Sequence, residues 1–150
     1  MAQSLSQILL HCVFSTKNRE RNLTDDLRQP LHDYVGGILR NHKGFLLSAG
    51  SVEDHIHLFI AQPRTISVSD LVKEIKVSTS IWIKNQSPHT KNFQWQSGYG
   101  VFSISPSHEN ALRQYIQNQK EHHQTITFQD EYRQLLGKYG ITYDEKYVWD

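Results

Sequence analysis

Residues 51–63 read SVEDHIHLFIAQP, and the alternation running through His55, Ile56, His57, Leu58, Phe59 and Ile60 is the pattern on which the fold turns. A β-strand sends successive side chains to opposite faces, so His55 and His57 share one face while Ile56, Leu58 and Ile60 line the other. Two such rings stand roughly 6–7 Å apart along the strand, close enough to hold one ligand between them. Taken alone, a His-x-His pair on a strand is more often packing than a metal site, so the elements around it decide its meaning.

Working outward, FLLSAGSV (45–52) is a second short strand, close enough to HIHLFIA to form a hairpin with EDH near the turn. Upstream, QILLHCVFST (7–16) is apolar and partly β-branched and reads as a strand buried on at least one face. Between these strands Leu27, Leu31, Tyr34, Val35, Ile38 and Leu39 recur at spacings of three and four, which predicts an amphipathic helix from about Thr24 to His42. Thr24, Asp25 and Asp26 suit its positive N-terminus. Downstream, VSDLVKEIKVSTSIWIKN (68–85) predicts a second helix with Leu71, Ile75, Ser78 or Thr79, and Trp82 on one stripe. FQWQSGYGVFSIS (93–105) returns to strand, with a bulge or tight bend expected at Gly98 and Gly100.

The order strand, helix, strand, strand, helix, strand is the α+β, ferredoxin-like split βαβ sandwich, with both helices on one face of an antiparallel sheet and the other face open. Ser105, Pro106 and Glu109 start a third helix that continues through ENALRQYIQNQKEHH (109–123), free to dock on the open face. In it Leu112, Tyr115, Ile116 and Gln119 fall on one side. Docking would bring Tyr115 and Gln119 toward His55 and His57. His122 and His123, one turn further on, read as surface residues, with assistance to the site as the lesser alternative. The whole of 1–150 is expected to be one domain, with its core over about 7–123 and a tail over about 124–150 that forms a short helix ending near Gly137 and an irregular aromatic end.

A chain of 150 residues, 37% hydrophobic and 21% charged, is one globular domain without low-complexity segments. Its net charge of +1 excludes a grossly basic nucleic-acid coat but permits a local patch, for which STKNRERN (15–22) is the candidate. A single cysteine, Cys12, excludes an intramolecular disulfide and a cysteine-based zinc knuckle. The N-terminal apolar run is too short for a signal peptide or a membrane span, and a cytoplasmic protein without membrane partners is expected.

With these residues placed, the chain resembles the single-tyrosine transposases of the HUH nuclease superfamily, among them the relatives associated with repetitive extragenic palindromes. The resemblance spans about Ile8 to Gln119 and is carried by five blocks in order: VFSTKNRERNL, DHIHLFI, VSDLVKEIKVSTSIWI, FQWQSGYGVFSIS and ALRQYIQNQ. It implies His55, His57 and Gln119 as ligands of a divalent metal, Mg2+ or Mn2+, and Tyr115 as the nucleophile. It also implies single-stranded DNA with a hairpin as substrate, cleaved and rejoined through a 5′-phosphotyrosine, and the basic residues Lys17, Arg19, Arg21, Lys73 and Lys76 are the candidate phosphate contacts. No general base is evident. A homodimer is expected, because a strand as apolar as ILLHCVF at a sheet edge needs covering, with Tyr115 of one chain placed against His55 and His57 of the other. Two other readings compete. A non-catalytic ferredoxin-like module could bind single strands on exposed sheet aromatics, although the expected aromatic signature is missing. A phosphoesterase could use histidines as acid and base, with His11 the sole candidate for the second.

Overall fold

The computed structural model describes residues 2–123 and 125–150, and the side chain of His122, one of the two histidines expected at the surface, lies outside the described part. Four strands, β1 (Leu9–Ser15), β2 (Phe45–Ser51), β3 (His55–Ala61) and β4 (Gly100–Ile104), form one sheet in the order β2-β3-β1-β4. Every neighbouring pair is antiparallel. Helices α1 (Asp25–Asn41) and α2 (Val68–Lys84) follow β1 and β3, which is the split βαβ sandwich expected from the sequence. After β4 come α3 (Glu109–Gln117), α4 (Gln119–His122) and α5 (Phe128–Lys138).

The period-two alternation divides the sheet into two chemistries. Cys12 and Phe14 of β1, with Ile56, Leu58 and Ile60 of β3, pack against the apolar stripes of α1 and α2 in the main core. On α2 the stripe is Leu71, Val72, Ile75, Thr79 and Ile83. Thr79 belongs to it because its hydroxyl bonds the Ile75 carbonyl and accepts from the Trp95 indole, so the polar atom is satisfied inside the core. Ser67 caps α2 by accepting from the Asp70 amide at 3.1 Å.

The opposite face is covered in two parts. Leu112 and Ile116 of α3 pack with Leu9 and Phe59. Phe128, Tyr132 and Leu136 of α5 pack with Val13 and Phe102. The core therefore extends past the expected boundary near residue 123, because α5 supplies the apolar surface that the β1–β4 half of the sheet requires. Three further expectations change. β1 is a central strand, bonded on both sides, so its apolar sequence reflects burial and not an edge that needs a partner. The strand expected over 93–105 is regular only from Gly100, where Tyr132 approaches to 2.8 Å of where a Cβ would stand, and the segment before it folds across the sheet end with Trp95 bridging Thr16. The third helix is interrupted at Asn118 and resumes as α4, and α5 begins separately at Phe128 after its Thr127 cap.

Candidate active site

Register places the histidines. His57 stands between Val13 on β1 and Gly50 on β2, and His55 opposite Ser15. Both rings are fully buried under α3 and α5. Gly50 permits that cover: a Cβ there would lie 2.1 Å from the backbone oxygen of Ile116, so only glycine lets α3 lie this close to the sheet. One turn on, the Gln119 Oε1 comes within 3.4 Å of His55 Nε2, and the amide nitrogen donates to the Tyr115 carbonyl. The Tyr115 ring stands edge-on to His57 with centroids 5.8 Å apart. His55, His57, Tyr115 and Gln119 are thus brought together within one chain. The short link from β4 to α3 lays the helix on its own sheet, so a second copy is not needed to deliver Tyr115 to these histidines.

At the centre lies a residue that sequence reasoning missed. Glu131, only 2% exposed, reaches in from α5. Its Oε1 lies 2.8 Å from His57 Nε2, 3.0 Å from His123 Nε2 and 3.4 Å from His55 Nε2, while its Oε2 accepts from the Tyr115 hydroxyl. Outer partners hold the far sides of the rings. His55 Nδ1 meets Asp54 Oδ1 at 2.7 Å, His57 Nδ1 meets His11 Nε2 at 2.7 Å, and His123 Nδ1 donates to the Ile126 carbonyl at 2.9 Å.

These contacts set the protonation chemistry. Burial and the neighbouring His57 push His11 down to about 3, which removes it as an acid or base near neutral pH and makes it a neutral support for His57. Burial likewise lowers His57 to about 4. Burial also opposes charge on His55, but hydrogen bonds to Asp54 and Glu131 outweigh it and raise its pKa. Burial and the adjacent Glu131 carboxylate raise the Tyr115 phenol, which stays protonated at neutral pH. For Glu131 burial is overcome by the three imidazoles, which hold it ionised well below the usual carboxylate range. Ligand atoms of His55, His57, His123 and Glu131 lie within 4.8 Å of one another, a grouping that could hold a metal ion.

The basic residues divide. Arg19 and Arg21 line a cleft of about 420 Å³ that runs past Asp54 and His123, on the same side as the cluster. Arg19 also donates to the Trp149 carbonyl, and Lys17 is exposed in the adjoining 3-10 turn. Lys73 and Lys76, in contrast, belong to α2, in the helix layer across the sheet. The Lys76 ammonium donates to the carbonyls of Gln96, Ser97 and Gly98, so the expected phosphate contact there gives way to a tie that holds the 96–98 segment.

The family model described as "Transposase IS200 like" matches residues 4–119, more than three quarters of the chain. The chain belongs to the IS200-like transposase family. Among solved structures, this transposase is similar to a Deinococcus radiodurans R1 protein provisionally assigned as a transposase, with a TM-score of 0.61, 23% identity, and coverage of 79% of this chain and 98% of that one. It is similar also to a REP-associated tyrosine transposase bound to a REP hairpin, with a TM-score of 0.60, 17% identity, and coverage of 82% and 74%. At these identities the likeness is one of fold. No curated protein matches the transposase in sequence. Among the described residues no helix is long and apolar enough to cross a membrane.

The four additions to the expected site, His11, Asp54, His123 and Glu131, differ in how visible they were. Asp54 adjoins His55, and His11 shares its strand face with Leu9 and Val13. Glu131 falls on the buried stripe of α5 beside Phe128 and Tyr132, where a carboxylate demands partners. Nothing local distinguished His123 from His122.

Proposed function

We propose that the transposase cleaves and rejoins single-stranded DNA at hairpin-marked sites, using Tyr115 as nucleophile and a divalent cation, Mg2+ or Mn2+, held by His55, His57 and Gln119. The observation that carries this reading is the convergence of the Tyr115 hydroxyl and three imidazole nitrogens on one buried carboxylate. The residues present fit a cation: each Nδ1 is engaged by an outer partner, as in metal sites where that partner fixes the ring and turns Nε2 to the ion. A divalent cation supplies positive charge to draw electron density from a non-bridging phosphate oxygen.

The chain's own residues do the remainder. Tyr115 Oη forms a bond to phosphorus as the bond to the 3′ oxygen breaks, leaving a 5′-phosphotyrosine and a free 3′-hydroxyl. The hydrogen bond to Glu131 aims the phenol oxygen. Because the phosphotyrosine retains the ester, another 3′-hydroxyl reverses the step and joins strands. Arg19 and Arg21 line the cleft beside the cluster, with Lys17 in the adjoining turn, and these are the phosphate contacts favoured by position; Lys73 would serve only DNA that wraps to the helix layer. The hairpin in the REP-associated relative supports a hairpin substrate.

The reading includes a homodimer, now supported by exposed apolar side chains, Phe45 on the edge strand β2 and Val77 and Ile81 on α2, instead of by β1. A light-scattering mass of one chain removes it. A binding module without chemistry is disfavoured, because the sheet face it would use lies under α3 and α5. The test of the whole is Tyr115→Phe: the expected result is loss of cleavage and of the denaturation-resistant protein–DNA adduct, with hairpin binding retained. An adduct formed by Tyr115→Phe assigns the nucleophile elsewhere.

A further inference from the structure

We propose that the cavity beside Tyr115 on the β4 side of the site is a base pocket, which seats the nucleobase of the nucleotide that becomes 5′-linked to Tyr115. This rests on the Tyr115 reading above and adds to it where the strand lies and in which direction it runs. Two of the residues that form the pocket, Lys138 and Tyr139, lie after residue 119, where the family match ends.

The cavity has a volume of about 450 Å³ and lies between β4, the start of α3 and the end of α5. That space suits a small ligand such as one nucleotide. Leu112 gives it an apolar wall, and the Tyr139 ring is held rigid by stacking on Phe102, with centroids 4.6 Å and planes 19° apart. A fixed aromatic ring takes any base by stacking. The Lys138 ammonium stands 5.6 Å from the Tyr139 centroid and makes no ion pair among the described residues, so it is placed to meet the phosphate of a nucleotide whose base lies in the pocket. A second observation points the same way. His11, only 2% exposed, lines the pocket; its Nε2 is taken by His57, and its Nδ1 has no hydrogen-bond partner among the described residues. A polar atom at such depth calls for a partner, and the pocket is the space from which a base edge can supply one.

Direction follows from the displacement. The attacking and departing oxygens stand on opposite sides of phosphorus. Tyr115 Oη attacks, so the segment that ends in the 3′-hydroxyl leaves away from Tyr115, and the nucleotide retained on the phosphotyrosine stays beside it. Two clefts meet the site. Tyr115 and His11, whose rings stand edge-on 6.3 Å apart, line the base pocket, whereas Asp54 and His123 line the cleft of Arg19 and Arg21. The retained nucleotide therefore takes the pocket and the departing segment takes the arginine cleft. A base seated in this way keeps the 5′-linked strand in place while one 3′-hydroxyl is exchanged for another.

The experiment uses the full chain carrying Tyr115→Phe, which leaves the DNA whole, and a hairpin oligonucleotide with single-stranded flanks in which 2-aminopurine replaces each unpaired base in turn. Fluorescence should be quenched at one position, the nucleotide 3′ to the phosphate that the wild type cleaves. Adding Tyr139→Ala should abolish that quenching and adding Tyr139→Phe should keep it. If Tyr139→Ala fails to fold, Tyr139→Leu, which fills the space against Phe102 without a ring to stack, takes its place. Lys138→Met should lower the logarithmic salt slope of oligonucleotide binding by about 0.7, for the one charge removed. An abasic residue at the quenched position should slow wild-type adduct formation about tenfold and slow Tyr139→Ala no further. Quenching unchanged by Tyr139→Ala and a salt slope unchanged by Lys138→Met overturn the pocket and, with the adduct still formed on Tyr115, leave the Tyr115 reading intact. A Tyr139-dependent base on the 5′ side of the cut overturns the direction. A Tyr139-dependent base in DNA that the wild type never cleaves upholds the pocket and overturns the Tyr115 reading instead.

Discussion

Replacing Gly50 with alanine should lift the nucleophile helix from the sheet. The new Cβ would stand 2.1 Å from the Ile116 backbone oxygen and 2.9 Å from Ile116 Cγ2, whereas ordinary contact begins at 3.4 Å. The obstacle is mainly backbone, so no rotamer change relieves it, and the α3 backbone must retreat by about 1 Å to reach ordinary contact. Ile116 follows Tyr115 directly, so the phenol moves with it, away from Glu131 and His57. Overpacking of this kind costs about 1–3 kcal/mol. For a chain of this size that lowers the melting temperature by roughly 2–4 °C for each kcal/mol. A displacement of about 1 Å at a reacting group costs on the order of 100-fold in rate. The assay is single-turnover formation of the covalent protein–DNA species at saturating cation and hairpin DNA, beside a thermal melt. A Gly50→Ala protein with wild-type melting temperature and adduct rate would show that α3 has slack at this contact and that its close seat does not position Tyr115.

His55→Ala or His57→Ala should remove divalent-dependent cleavage, while His89→Ala, exposed in the 3-10 turn Pro88–Thr90, should cleave as wild type; full activity of His57→Ala in chelator contradicts the site. His32, bonded to the Ser51 hydroxyl, is lowered by burial to about 4. Because the unfolded chain binds that proton first, the contribution of His32 is complete above pH 6.5, is lost as pH falls from 6.5 toward 4, and is on the order of 3 kcal/mol at about 1.4 kcal/mol per pH unit. Urea midpoints at pH 7 and pH 4.5 should differ less for His32→Gln than for wild type, and equal differences refute this. Lys76→Met keeps an aliphatic stem of similar length but loses three hydrogen bonds and the ammonium over the Phe14 and Tyr99 rings. It should destabilise the protein by about 2 kcal/mol with the salt dependence of hairpin binding unchanged; a smaller salt slope would restore Lys76 as a phosphate contact.

Legibility followed the range of the signal. The bounds of α1 and α2 and the strands β1 to β3 came within a residue or two of the periodicity because apolar spacing and caps are local. The strand expected over 93–105 is interrupted as its glycines suggest: residues 94–96 pair with the end of β1, and the break before Gly100 is held by Lys76, some twenty positions away, which gathers the carbonyls of Gln96, Ser97 and Gly98. The burial of β1 was correctly read, but its place was not: an apolar run shows that a strand is covered, not whether neighbouring strands or another chain cover it. The covering of the β1–β4 half by α5 was likewise invisible, since an amphipathic stripe shows that a helix docks and not where.

By itself the sequence determined that the chain is a ferredoxin-like sandwich with His55 and His57 on one strand face and Tyr115 one helical turn from Gln119, because strand and helix periods are properties of neighbouring residues. The tertiary structure alone decided that Glu131, 74 positions from His57 and 16 from Tyr115, is the atom group on which the site converges. That convergence requires three separate events to agree: the β1–β3–β2 register that sets the height of His57, the seat at Gly50 that sets the depth of α3, and the docking of α5 on Val13 and Phe102. None is encoded in local spacing. Each is settled by which apolar surfaces can be buried together, and a carboxylate so far along the chain acquires its three imidazole neighbours only as a result of that packing.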